Sequence, residues 1–367
     1  MPKIIDHIDT PVILIEKSIL EKNIRRMQQL ADGNGVKLRV HIKSHKVPAL
    51  ARMQLRAGAT GIAVAKLGEA EVMADAGIKD IQIANIIVGP EKIKRLVRLH
   101  GRCRLTLAVD SIANAKEVSD AFSRARKSID VLIKINTGLN RCGLDSIEDV
   151  GKLAGAIRTL RGIRLRGLMT HAGHAYAAHN KSEIRRIGIS EGEKLVECAA
   201  RLRNLGYPIE VISAGSTPTA RLCSAVKGVT ELRVGNYMFN DMVQVSLKVT
   251  PLSNCAVTIL STVISRPTQG RAIIDAGSKA LSRDRGAHGT ELTMSYGKII
   301  GGRGVLKRLS EEHGIIENAT ARFRIGQKIR IIPNHACAVM NLFDQAYLVD
   351  GDKVIKKLEI SARGKMT

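Results

Sequence analysis

The sequence predicts an α/β protein, a closed (β/α)8 TIM barrel followed by an all-β domain. Three observations carry this prediction. Strand-like apolar runs alternate with helical periodicities over about 200 residues, and eight such strands are what a closed parallel barrel requires. Aromatic residues make up 2% of the chain and Trp is absent, so the core must be built from Ile, Val, Leu and Ala, as buried parallel strands under helices are. Past about residue 250 the alternation gives way to short β segments separated by turn signals. A length of 367 residues exceeds one ordinary core and suits a barrel of about 250 residues with a domain of about 100. The expected boundaries are 10–245 for the barrel and 250–367, with residues 1–9, for the β domain.

Taken in order, Thr10-Pro11-Val12-Ile13-Leu14-Ile15 reads as a strand and 16–32 as a helix with Leu20, Ile24, Met27 and Leu30 on one face. The next strand pattern lies in Lys37-Leu38-Arg39-Val40-His41-Ile42-Lys43-Ser44-His45-Lys46, which ends in two lysines and two histidines before Pro48. A helix over 48–57, a strand over 61–65 and a helix over 68–76 follow. Further strands are expected at 81–88, 105–110, 131–136, 163–171, 209–214 and 231–237. An open doubly wound sheet is the alternative, but the GxGxxG that would mark it after the first strand is missing. The β domain should hold strands at 255–265, 272–275, 291–300, 314–317, 328–332 and 347–358, with turns at Arg266-Pro267, Gly301-Gly302 and Asp350-Gly351. The extended residues ahead of the first helix are free to add a strand to it.

The formal charge of +24 allows a nucleic-acid partner, but Lys and Arg are scattered through helical segments with no basic run interleaved with base-stacking aromatics. The charge reads as a solvated surface that attracts anionic ligands. Six cysteines at 103, 142, 198, 223, 255 and 337 show no paired spacing, which points to a reduced, cytoplasmic protein. No apolar run reaches the roughly 20 residues of a membrane span, and the N-terminus lacks a signal-peptide core. Neither nucleic acid nor membrane is an expected partner.

Barrel chemistry sits where strands end and loops begin. Lys43, beside His45 and Lys46, offers an amine whose ammonium form is disfavoured by desolvation and like charge, as Schiff-base chemistry needs. The fifth strand ends in Asn136-Thr137-Gly138-Leu139-Asn140-Arg141-Cys142-Gly143, where Arg141 can hold an anionic oxygen. The sixth ends in His171-Ala172-Gly173-His174-Ala175-Tyr176. The last two end in Gly215-Ser216-Thr217 and Gly235-Asn236-Tyr237. Glycines, hydroxyls and a helix expected to begin near Thr217 make a phosphate cradle there. In the β domain, His335 and Cys337 stand two apart at a turn after the strand 328–332, so both can face one divalent metal.

These motifs together resemble the fold type III, alanine racemase-like enzymes that use pyridoxal 5′-phosphate (PLP), in the branch of D-serine dehydratases and D-threonine aldolases. The resemblance runs nearly the whole length and rests also on Thr10-Pro11, Asp275-Ala276-Gly277 and Pro333-Asn334-His335-Ala336-Cys337. It implies Lys43 as the Schiff-base lysine, Ser216, Thr217, Gly235, Asn236 and Tyr237 around the cofactor, and Arg141 near its ring. It implies a metal, zinc by the preference of thiolate, on His335 and Cys337, and a homodimer. Val40 and Val234 depart from the family, which often has Pro at both places. The implied function is a PLP- and metal-dependent lyase acting on D-3-hydroxy amino acids. A dehydratase releasing a 2-oxo acid and ammonia is favoured, because aldolase members carry His-Cys-Asp where this chain has His-x-Cys. A D-threonine aldolase giving glycine and an aldehyde is the alternative, with His171, His174 or Tyr176 as the base. A non-enzymatic PLP carrier is a remoter one, since it would need neither the β domain nor the His335/Cys337 pair.

Overall fold

The computed structural model describes residues 7–302, 304–319 and 323–367. They fall into two compact units: one comprises the described residues up to Arg26 with Ser44–Val47 and Asn236–Arg363, the other Met27–Lys43, Pro48–Gly235 and Gly364–Thr367. The chain crosses from one to the other at the Lys43–Ser44 and Gly235–Asn236 bonds, among others. Of the expected β domain, residues 1–6 lie outside the described residues.

After β1 (Val12–Glu16) and α1 (Lys17–Gly33), the barrel unit runs β2 (Lys37–His41), α2 (Pro48–Arg56), β3 (Gly61–Val64), α3 (Leu67–Asp75), β4 (Asp80–Ile86), α4 (Pro90–His100), β5 (Arg104–Val109), α5 (Ile112–Arg124), β6 (Ile129–Lys134), α6 (Ile147–Thr159), β7 (Ile163–Met169), α7 (Lys181–Asn204), β8 (Val211–Ala214), α8 (Ala220–Cys223) and β9 (Glu231–Val234). Strands β2 to β9 close into a parallel barrel. Closure is set by β9 pairing with β2 from Lys37↔Glu231 to Val40↔Val234. The two departures from the family pattern are thus register partners, both buried. Valine keeps the backbone N–H that proline lacks, so neither strand loses a donor there. Helix starts follow from their caps: the side chains of Ser111, Ser146 and Asn180 accept the N–H groups of Asn114, Asp149 and Glu183.

The N-terminal end of the barrel is sealed by ion pairs between strands. Arg39 on β2 reaches Asp80 of β4 at 2.6 Å and Glu231 of β9 at 2.7 Å. Arg164 meets Asp130 at 2.9 Å, Arg166 meets Glu210 at 2.5 Å, and Ser213 donates to Glu231 at 2.7 Å. Above this layer the interior is apolar, with Ala84, Ala108, Leu132 and Met169 buried against one another, while Val40, Ile62, Ile83, Leu107 and Ile133, alternating with them, are buried on the outer face of the strands.

The second unit adds α9 (Met242–Ser246), β10 (Val257–Thr268), β11 (Arg271–Ile274), α10 (Ser278–Leu281), β12 (Lys298–Ile299), β13 (Val305–Leu309), β14 (Gly314–Glu317), β15 (Lys328–Ile332), α11 (Ala336–Met340), β16 (Gln345–Asp350) and β17 (Lys353–Glu359). Among the described residues its sheet has nine strands, in the order β13-β14-β11-β10-β1-β16-β17, with β15 pairing β10 and β12. The expected boundary at residue 10 therefore needs correction at one strand. β1 runs antiparallel to β10 and parallel to β16. The barrel closes without it, and its first four residues are buried, as a central strand's must be.

Other departures are local. The strand expected over 291–300 shrinks to Lys298–Ile299, because Leu292 and Thr293 turn back to donate to the Arg285 carbonyl. β13, exposed at three of its five residues, lacks the alternation that would have announced it. Residues 347–358 form a hairpin rather than one strand, turning at Asp350-Gly351. β2 stops at His41, and Lys43 sits in a 3-10 turn, Ile42–Ser44. The helix expected near Thr217 begins at Ala220, after a turn. Among the described residues no helix is long and apolar enough to cross a membrane.

Candidate active site

In the barrel unit the predicted residues gather at the C-terminal ends of the strands. Lys43 is half-buried, with its N–H directed at His41 Nδ1 at 3.4 Å. The β7 loop brings His171 Nδ1 to within 3.3 Å of the Gly215 carbonyl, joining the loops after β7 and β8. His174 and Tyr176 lie in the 3-10 segment Gly173–Ala177, and Tyr176 is buried. Burial, with Lys194 and Arg186 nearby, holds the His174 imidazole below the usual histidine range against the pull of Glu183. Its Nδ1 is buried without a hydrogen-bond partner. Gly138, on the β6 loop, lies under the His174 ring. A Cβ at that position would stand 3.0 Å from the imidazole. Arg141 is exposed on the same loop.

The expected phosphate loop is built from inside the barrel wall. Gly215 takes a φ of +117°, and Ser216 and Thr217 follow it, both buried. Ser216 Oγ lies 2.8 Å from Thr219 Oγ1, and the Ser216 N–H donates to the same oxygen at 3.1 Å. The Thr217 hydroxyl is buried with no partner. A buried hydroxyl awaiting an acceptor, next to a glycine turn at a strand end, fits a phosphate group.

Two buried cations in this unit were not singled out from sequence. Lys134, the last residue of β6, is 4% exposed and its Nζ donates to the Ala84 carbonyl at 3.2 Å. Burial holds its amine below the usual lysine range, helped by Arg233 and Arg141, while Cys142 opposes the shift. Arg233 on β9 donates to Ser213 Oγ at 2.6 Å and to the Thr170 carbonyl. Lys134 had a legible signal, a lysine closing an apolar strand just as Lys43 does. Arg233 stands in the strand end Arg233-Val234-Gly235-Asn236-Tyr237, but nothing in that pattern tells that its side chain is buried.

In the sheet unit, the two-residue spacing of His335 and Cys337 does bring them together. His335 caps α11, and its Nδ1 pairs with Asp284 Oδ2 at 2.7 Å. Burial opposes charge on His335, yet Asp284 and Cys337 together push it up to about 10. Burial would raise the Cys337 thiol, but His335 brings it below the usual thiol range. Cys337 also donates to Ser44, the residue after Lys43 in the chain, at 3.4 Å. Asn334 holds the Asp284 carbonyl at 3.1 Å and so fixes the partner of His335. Asn236, expected beside the phosphate, directs its amide nitrogen to Asp241 at 2.6 Å and Cys337 at 3.5 Å, so its side chain belongs to this group. Tyr237, next in the chain, is buried.

A thiolate-forming Cys beside a His whose Nδ1 is oriented by a carboxylate is a donor set that fits a soft-tolerant divalent metal. Among the described residues no group of three or more His, Cys, Asp or Glu is placed to hold a metal. What the described residues bring together is two candidate metal donors, His335 and Cys337. Asp284 could not be foreseen, since it lies in an irregular loop far from His335 in sequence. All six cysteines are free.

Comparison with known proteins follows this division of the chain. The family described as alanine racemase, N-terminal domain, matches residues 15–242, and the putative serine dehydratase domain matches 256–349. The chain is similar to D-threo-3-hydroxyaspartate dehydratase of Delftia sp. (strain HT23), 38% identical over 94% of this chain and 95% of that protein. It is similar to D-threonine aldolase of Arthrobacter sp, 33% identical over 97% of this chain and 93% of that one. A solved D-threo-3-hydroxyaspartate dehydratase, a cysteine-to-alanine mutant in the metal-free form, superposes with a TM-score of 0.90. It is 34% identical over 97% of this chain and 98% of that one.

Proposed function

For this chain, which belongs to the fold type III family built on the alanine racemase N-terminal domain and the serine dehydratase domain, we propose a PLP- and metal-dependent lyase acting on D-3-hydroxy amino acids. The favoured reaction is dehydration, with release of a 2-oxo acid and ammonia. The observation that carries it is the His335–Cys337 pair steadied by Asp284. Elimination needs a β-hydroxyl made into a leaving group, and a thiolate with an oriented imidazole holds zinc for that purpose.

Lys43 would hold the cofactor covalently, Ser216, Thr217 and Gly235 would hold its phosphate, and Arg141 and Tyr237 would complete the cofactor site. Bound there, PLP supplies an electron sink for charge developing at Cα, and a metal on His335 and Cys337 supplies Lewis-acid polarisation of the β-hydroxyl. The Lys43 amine takes the Cα proton at Nζ. Asp284 keeps the His335 ring in one tautomer, so its other nitrogen faces the metal position. Net, one substrate yields one 2-oxo acid and one ammonia, with the water lost at Cβ regained on release. The substrate partner is a D-amino acid, and neither nucleic acid nor membrane has a part. The assembly is a homodimer, and its setting is the cytoplasm, in keeping with six free cysteines.

Aldol cleavage is the second reading, favoured by the similarity to a D-threonine aldolase and by a His174 imidazole held in its base form. There His174, His171 or Tyr176 removes the hydroxyl proton, the Cα–Cβ bond breaks, and Cα is reprotonated to glycine. Product analysis on D-serine, D-threo-3-hydroxyaspartate, D-threonine and their L-enantiomers separates the readings. We expect ammonia and a 2-oxo acid from the first two faster than glycine from D-threonine. We also expect activity lost to a chelator to return with zinc. Glycine and acetaldehyde as the dominant products would transfer the assignment to an aldolase.

A further inference from the structure

Glu191 lies in the middle of α7 and is 1% exposed, a carboxylate buried on the helix that packs outside β7 and β8. Its Oε1 accepts the N–H of Gly215 at 2.8 Å and that of Ala172 at 3.2 Å. Its Oε2 accepts the hydroxyl of Thr219 at 2.7 Å. Those three donors belong to the loops that follow β7 and β8, the first bearing His171 and the second Ser216 and Thr217. The helix comes close enough for a short acidic side chain to reach them because it carries glycine at 188 and 192. A Cβ at Gly188 would stand 2.8 Å from Leu222 Cβ and 3.3 Å from Thr219 Cβ, and one at Gly192 would stand 2.8 Å from Val226.

We propose that Glu191 is a positioning residue for the cofactor phosphate, one carboxylate that locks the loops after β7 and β8 together and fixes the direction of the Ser216–Thr219 hydroxyl pair. The inference rests on the phosphate reading of those loops. Burial raises the Glu191 carboxyl, and the N–H groups of Gly215 and Ala172, the Thr219 hydroxyl and Arg233 oppose that rise; as a carboxylate it only accepts, which points the Thr219 proton to Glu191. Thr219 Oγ1 then accepts both the Ser216 N–H and the Ser216 hydroxyl, which fixes Ser216 in place in the loop. The Thr217 hydroxyl, buried and unpartnered, is left as the side-chain donor turned to the anion. Glu191 touches no reacting atom; it acts through this loop.

Glutamine at this position keeps an oxygen for the two backbone donors but offers Thr219 an N–H, which reverses the hydroxyl pair. Valine at 219 removes the hydroxyl link and leaves the backbone anchors intact. The test is equilibrium binding of PLP and of pyridoxal, which lacks the phosphate, to the full chain freed of cofactor. It is made on the wild type, Glu191→Ala, Glu191→Gln and Thr219→Val. Wild type should prefer PLP. Glu191→Ala should weaken PLP by about 10- to 100-fold and pyridoxal by less than about threefold. Glu191→Gln and Thr219→Val should each fall between, and the phosphorus-31 resonance of bound PLP should move in all three variants. Should Glu191→Ala fail to fold, the other two carry the measurement. A lower melting temperature with the preference for PLP intact would make Glu191 merely structural and overturn the proposal. A wild type that binds both compounds alike would instead overturn the phosphate reading on which the proposal stands.

Discussion

The two ends of the barrel are both lined with charged and hydroxyl side chains, yet they treat them differently. At the N-terminal end, Arg39, Asp80, Glu231, Arg164 and Asp130 find partners of opposite sign on other strands. At the C-terminal end, Lys134 is buried against a carbonyl oxygen, Arg233 bonds to neutral oxygens with Glu231 and Glu191 close enough to attract it, and the Thr217 hydroxyl and His174 Nδ1 have no partner. A buried ion answered by a counter-ion is at rest, whereas a buried hydroxyl or ring nitrogen with no partner leaves its hydrogen-bonding capacity open to a ligand. The comparison teaches which polar groups hold the barrel shut and which are kept for an anion.

The largest test of that contrast is Lys43→Ala. Turnover should fall by at least about a thousandfold and the visible absorbance of bound PLP should vanish, while thermal unfolding stays close to wild type. A labelled Lys46 after borohydride reduction of the wild type would move the assignment off Lys43. At the opposite end, Arg39→Ala should leave Glu231 buried without its cation and lower stability by about 3–5 kcal/mol in denaturant titration. The folded fraction should keep its PLP affinity, and a loss of affinity there would show that the two ends are not independent. Thr217→Val should weaken PLP by about 10- to 150-fold, the value of one hydrogen bond to a charged acceptor of about 1.5–3 kcal/mol. Unchanged affinity would take Thr217 out of the cradle. The smallest effect belongs to Arg166→Ala. Its partner Glu210 is half exposed, and the change should cost less than about 1 kcal/mol. A larger loss would mean that the N-terminal ion pairs act as one network.

Much of this was readable in advance, and what was not has a physical reason. Barrel strands declare themselves because both faces are buried, which forces unbroken apolar runs such as those over 61–64 and 131–133. The same runs end in the residues that carry the candidate chemistry, so Lys43, His171 and Thr217 could be picked out. His335 and Cys337 converge through local spacing alone. The structure adds residues whose role exists only in three dimensions. Glu191 sits among apolar and charged residues of a long helix, and nothing in its neighbours tells that it faces inward. Asp284 meets His335 through a loop with no pattern. Asn236 shows the converse: its motif is plain, yet its amide nitrogen bonds to Asp241 and Cys337, partners that position in the motif could not reveal.

The placement of β1 between β10 and β16 bears on how this chain is made. Val12 to Ile15 leave the ribosome with both hydrogen-bonding edges bare, and the strand waits until Val257 and the residues after it are synthesised. At ordinary elongation rates that interval is on the order of 10 to 50 s. For that time a short apolar strand has no partner of its own and is a template for wrong ones. Nascent chains arrested before residue 257 should therefore recruit a holding chaperone at their N-terminal segment, and circular permutants that deliver β1 directly ahead of β16 should aggregate less during synthesis.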